Sequence, residues 1–326
     1  MEFIYLDQKD WVYLSRAEHG RDDGEAFADV LAIAKGAVRL NRARFPLSSC
    51  HYMETWKAKQ PERRTRLAQT MLALSQNVTI AAGQQLLPGE IDRALQARFG
   101  RPHATRDHPA FGEGLGHAIG KPGYGTYHLP EEIARQLPPG ERDRCEAEMR
   151  PIMRQALLSG VAPEGSSAPA IDPELYELPS LTYRRSEERL VALFKEYGAK
   201  KSVRDLALAV LSAEDLKVPL DEALLRAGIA PDEFSRLGED QLTFLAEIPS
   251  RHVDFELHRL RHDNAELPRR DSDLIDLAAL SVAVVYCDVV VTEKFWTDMI
   301  RRAGLDKRYN TTVLPNLHEL KAHLLS

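Results

Sequence analysis

Apolar runs of strand length and apolar stripes of helical period alternate at both ends of the chain, but not in its middle. "EFIYLD" is a short apolar run that stops at Asp7, which predicts a buried strand. A mostly helical stretch to about Leu40 follows, then a second candidate strand, "FPLSS", with "CHYMETWKAK" as the helix leaving it. "PERRTRLAQTMLALSQN" predicts another helix, with Pro61 at a favourable first position. From about 79 to 250 helical pieces such as "LPGEIDRALQARF", "RDRCEAEMRPIMRQALL" and "VRDLALAVL" are separated by breaker-rich links, and strand signals are weak. The strand–helix alternation then returns. "DSDLIDLAALSVAVVY" predicts a helix, "DVVVT" a strand, "EKFWTDMIRRAG" a helix, "NTTVLP" a strand and "NLHELKAHLL" a last helix. The expectation is an α/β domain with a mostly parallel sheet flanked by helices. Its N-terminal part would be 1–78 and its C-terminal part 251–326, around a large, mainly α-helical insertion over 79–250.

This pattern sends acids to one end of the sheet. Ligands of parallel α/β sheets sit beyond the carboxyl ends of the strands. Asp7 directly follows one strand and Glu293 another, while Glu54 lies a turn into the helix after "FPLSS". Asp273 and Asp276 begin their helix three residues apart, on one face that continues through Leu277, Leu280 and Val284. Ser272 as a cap and acids at the positive helix end give a purely structural account of that pair. Convergence from four segments favours a site. Carboxylates crowded together hold protons at neutral pH or need a cation, and all-oxygen ligands suit Mg²⁺ or Mn²⁺. Asp288 precedes its strand, belongs to the opposite sheet edge and is expected to be structural.

In that order, "IYLD", "METW", "D..D...L..A" and "VVVTE" resemble the PIN-like nuclease domains, and "D..D...LS.A..YCD.VVTEKFW" resembles a bacterial branch of large members. The resemblance covers roughly 1–75 and 250–326. It implies a PIN-like fold and a metal-dependent endonuclease, a hydrolase that cleaves RNA phosphodiesters with metal-activated water. Carried over by position, Asp7, Glu54, Asp276 and Glu293 would be the catalytic metal ligands, assisted by Asp273. Lys9, Arg269, Arg270 and Lys294 stand beside these acids as expected phosphate contacts. The last acid is Glu where Asp is more usual, and the insertion exceeds that of small toxin-type members. RNA as partner and a toxin or defence role rest on the resemblance, which leaves a protein or antitoxin partner and a homo-oligomer open. The competing classes are a non-catalytic PIN-like scaffold for a protein partner, a DNA nuclease and a small-molecule phosphohydrolase.

Composition adds limits. The net charge of −6 argues against a protein coated in positive charge, but is compatible with a carboxylate site. Cys50, Cys145 and Cys287 show neither disulfide-framework nor zinc-ribbon spacing, the start lacks a signal-peptide pattern, and no run is long enough to span a membrane. A cytoplasmic location is expected. "FGEGLGHAIGKPGYGTY" is not a phosphate loop, because Leu115 and Pro122 stand where Gly and Ser/Thr are needed. His258 and His262 in "FELHRLRH" could share a helix face as paired ligands, yet lack the zinc-protease Glu, and the stretch around "HVDFEL" also suits a strand. Trp11, Trp56 and Trp296 follow the acids closely and are expected to pack beneath the site.

Overall fold

A run apolar on both faces has to lie inside a sheet covered on both sides, and the first strand does so. The structure, a computed structural model, describes residues 1–100, 107–126, 128–163, 177–236, 240–264 and 266–326. Its strands are β1 (Glu2–Leu6), β2 (Ala43–Arg44), β3 (Val78–Ile80), β4 (Phe111–Glu113), β5 (Val289–Val291) and β6 (Thr312–Leu314). β2, β1, β5 and β6 form, in that order, a parallel sheet. Alternate residues sort to its two faces. Ile4, Leu6, Val289 and Val291 join the core under helices Gln8–Glu18, Ala28–Arg39, Pro61–Ser75 and Leu317–Leu325. Tyr5, Val290 and Val313 join the other, under helices Pro249–His262, Asp273–Tyr286 and Lys294–Arg302. The protein is therefore mixed α/β with a parallel sheet flanked by helices.

β2 corrects the expectation for "FPLSS". The ladder to β1 uses only Ala43 and Arg44, before that segment begins. Pro46 has no N–H to extend it. Phe45 and Leu47 stay buried, but Leu47 bridges Thr79 instead. That residue belongs to β3, which pairs with β4 as an antiparallel ribbon the sequence pattern did not signal. Each strand has three residues, too few for alternation to register. The glycine-rich stretch thus begins as β4 and continues into the one-turn helix Gly114–Ala118; residue 127 lies outside the described residues.

Helices dominate the described part of 79–250, of which 101–106, 127, 164–176 and 237–239 lie outside the described residues. Helices Gly83–Phe99 and Lys201–Ala227 share a third apolar cluster of Ile91, Leu95, Leu216, Leu224, Phe244 and Ile248. "HVDFEL" is helical, within Pro249–His262, which leaves the strand alternative aside. No described helix is long and apolar enough to cross a membrane.

Candidate acidic centre at the carboxyl edge of the sheet

The strand order reverses direction between β1 and β5, since the chain builds outward from β1 to β2 on one side and from β5 to β6 on the other. Such a switch point opens a crevice beyond the strand ends. Asp7 and Glu293 occupy it. Leu6 pairs in register with Val291, and the Asp7 amide donates to the Val291 carbonyl at 3.1 Å. One Asp7 oxygen accepts from the Lys9 amide at 3.3 Å, capping helix Gln8–Glu18. The other accepts from the Thr292 hydroxyl at 3.3 Å. Glu293 stands at the N-cap of helix Lys294–Arg302, with its carboxylate 3.6 Å from the Lys9 ammonium.

Helix Ser49–Lys57 brings the other two acids in, through adjacent residues at its start. His51 is wholly buried. Its Nδ1 accepts from the Ser48 amide at 2.9 Å, and its Nε2 donates to the Leu6 carbonyl at 2.8 Å. Burial lowers its pKa to about 4, so the ring is neutral, as those two roles require. His51 therefore ties the helix to the residue before Asp7, and Glu54, three residues on, faces the same crevice. Cys50 contacts the Ile275 carbonyl through its thiol at 3.6 Å, the residue before Asp276. Burial, with Glu54 and Asp276 nearby, pushes that thiol up to about 12, so it stays protonated and donates. One Asp276 oxygen accepts from the Trp296 indole N–H at 3.3 Å.

The charges act on one another across these four segments. Burial first, then Asp7 and Asp276, raises Glu54 to about 8. Burial, then chiefly Asp7 with smaller effects of Asp273 and Glu293, raises Asp276 to about 7, against the single lowering indole bond. Asp7 is raised by burial and by Glu293, despite its amide and hydroxyl donors. Asp10 joins them: it is buried and raised to about 8 by burial and by Asp7. Sequence reasoning missed Asp10, although its spacing of three from Asp7 repeats that of Asp273 and Asp276. His51 was missed as well, since a capping imidazole leaves no pattern.

Among the described residues, these acids do not bring three ligand atoms within 4.8 Å of one another. All are oxygen donors, of the kind Mg²⁺ or Mn²⁺ takes, and the pKa values of Asp7, Glu54 and Asp276 are raised by burial and by neighbouring acids, a repulsion that a cation would relieve. Next to Asp7 in the chain, Gln8 donates its amide N–H to Thr55 at 3.1 Å, and its Oε1 is buried without a partner.

Other expected site residues lie elsewhere or are engaged. Asp273 is buried in an ion pair with Arg261 and accepts from the Arg270 amide at 2.7 Å. Arg269 is turned inward, its guanidinium donating to the Leu267 carbonyl at 3.0 Å and the Arg261 carbonyl at 3.3 Å. Lys9, Arg270 and Lys294 are exposed. Asp288 accepts from the Phe3 amide at 2.7 Å, at the end of the sheet remote from Asp7. Trp11, Trp56 and Trp296 are buried.

Among the described residues, the grouping with ligand atoms close enough together to hold a metal is a different one. Glu187, on helix Glu177–Glu196, accepts from His258 Nε2 at 2.9 Å and His262 Nε2 at 2.8 Å, one oxygen to each. One ligand atom from each of the three residues lies within 4.8 Å of the others. The carboxylate missing from "FELHRLRH" thus arrives from another helix, 71 residues from His258. No protein-family model, curated protein or solved structure matches the chain.

Proposed function

We propose that the chain is a divalent-metal-dependent endonuclease, and most specifically a ribonuclease acting on single-stranded or looped RNA. What supports this reading is that Asp7, Glu54 and Asp276, from three separate segments, are each raised by another acid of the set, and that Glu293, from a fourth, acts on Asp7 and Asp276. Asp7, Glu54, Asp276 and Glu293 would hold Mg²⁺ or Mn²⁺, which when bound supplies Lewis-acid activation of water and charge for the departing oxygen. Asp10, at about 8, keeps its proton at neutral pH and adds no charge behind Asp7. Thr292 and Trp296 orient the Asp7 and Asp276 oxygens by hydrogen bonds. Lys9 stands half-exposed on the rim, where a phosphate would approach, and exposed Arg270 and Lys294 extend the basic margin. Choice of RNA is supported by the resemblance of "IYLD", "METW", "D..D" and "VVVTE" to PIN-like domains.

Incubating the purified chain with total RNA and Mn²⁺, beside an Asp276→Asn variant, tests the proposal. Metal-dependent cleavage by the wild type alone is expected. Metal binding without cleavage of RNA or DNA would favour a scaffold, and hydrolysis of nucleotides without polymers a small-molecule phosphohydrolase.

A further inference from the structure

We propose that Glu187, His258 and His262 form a second metal site, distinct from the acidic centre and selective for a zinc-like transition ion. Its chemistry differs from that of the carboxylate cluster. Two imidazole nitrogens and one carboxylate are borderline donors that suit Zn²⁺, Co²⁺ or Ni²⁺ and are poor for Mg²⁺. The local fold builds the set without strain. His258 and His262 are one turn apart on helix Pro249–His262, and their rings lie 5.0 Å apart between centroids. Helix Glu177–Glu196 presents Glu187 opposite them, almost fully buried, as His262 is. Tetrahedral ligands at about 2.1 Å from zinc stand about 3.4 Å from one another. The two oxygen–nitrogen distances, 2.9 Å to one Glu187 oxygen and 2.8 Å to the other, would have to open by about half an ångström.

Without an ion, each Nε2–H donates to a Glu187 oxygen. The buried Nδ1 of His262 has no partner. On binding, each neutral ring carries its proton on Nδ1 and turns the Nε2 lone pair to the ion. Asp254, one turn before His258 and electrostatically coupled to it, is the nearby carboxylate on that side. The arginine beside the site does not replace the ion. Arg269 Nε is 3.9 Å from Glu187 and makes no hydrogen bond, and its other nitrogens serve backbone carbonyls. Three protein ligands leave a fourth position. His258 also lines a cavity of about 540 Å³ together with Tyr183, Arg251 and Asp254.

The site shares no residue with the acidic centre; the buried Arg261–Asp273 pair joins the helix of His258 and His262 to the helix of Asp276. An ion here would pin helix Glu177–Glu196 to the helix that carries Arg261.

The test strips the full chain with chelator and titrates it with Co²⁺ as a spectroscopic probe. One Co²⁺ per chain with the intense visible absorption of four-coordination is expected, displaced by one equivalent of Zn²⁺, which should also raise Tm. His258→Ala, at a partly exposed ring, and Glu187→Gln should each weaken Co²⁺ binding by at least about tenfold, whereas Asp276→Asn should leave the absorption unchanged. Circular dichroism checks that the variants fold. Absence of a saturable Co²⁺ signal in the wild type overturns the proposal without reference to any variant. So does a signal that survives both ligand substitutions, or one lost in Asp276→Asn alone, which would assign the ion to the acidic centre.

Discussion

At the scale of single residues, two small contacts do most of the placing. His51 holds the residue before Asp7, and Cys50 the residue before Asp276, so the start of one helix fixes the spacing of the acids. His51→Ala leaves the Leu6 carbonyl and the Ser48 amide unpaired in a dry interior. The expected loss is about 1–3 kcal/mol for each buried group so orphaned, read as a lower denaturant midpoint, together with weaker Mn²⁺ binding. Asp276→Asn should act in the opposite sense on stability. It keeps the shape and an acceptor for Trp296 while removing a charge from a crowded cluster. In the metal-free protein each kcal/mol of repulsion relieved should raise Tm by roughly 2–4 °C, while RNA hydrolysis is abolished. Asp288→Ala makes the contrast: it loses the bond from the Phe3 amide, about 0.5–1.5 kcal/mol, and leaves hydrolysis intact because it lies at the other end of the strands.

The elements explain what could and could not be foreseen. The apolar runs at β1, β5 and β6 and the stripe Leu277, Leu280, Val284 are long or regular enough to register, and the parallel pairing of β1 with β5 puts Asp7 and Glu293 at one edge. β2, β3 and β4 have two or three residues each, and their pairing is decided by Pro46 and by contacts remote in sequence. Asp273 exposes the limit of face arguments. Spacing puts it beside Asp276, but Arg261, on a helix the periodicity left ambiguous, captures it. Glu187 was beyond reach for the same reason, since its histidines meet it only across two helices. The Arg261–Asp273 pair joins helices Pro249–His262 and Asp273–Tyr286, with both side chains 3% exposed. Arg261→Met strands a buried carboxylate and should cost about 3–5 kcal/mol. Arg261→Met with Asp273→Leu should recover most of that, because a well-packed apolar pair is often as stable as a buried ion pair. Chemical denaturation of the single and double variants measures both.

For the whole molecule, the raised carboxylates make stability depend on pH, and on the proposed reading on metal as well. The folded chain holds the protons of Asp276 (to about 7), Glu54 and Asp10 (each to about 8) more tightly than the unfolded chain does. Their contribution is complete below the unfolded values and is lost as pH rises through the folded ones. The metal-free Tm should therefore fall between about pH 6.5 and pH 8, above the range where the buried His51 ring, lowered to about 4, acts in the opposite sense. Saturating Mn²⁺ should flatten that fall, since the ion takes the place of the protons. Thermal melts across this range, with and without metal, check both slopes.

The central claim, that these carboxylates are a divalent-cation centre, is tested most directly by calorimetric titration of Mn²⁺ at neutral pH into the Glu187→Gln chain, which removes the second grouping from the comparison. Saturable binding is predicted, accompanied by proton release and weakened by at least an order of magnitude when Glu54→Gln or Asp276→Asn is added. An isotherm unchanged by both of those substitutions, or no saturable binding at all, would contradict it.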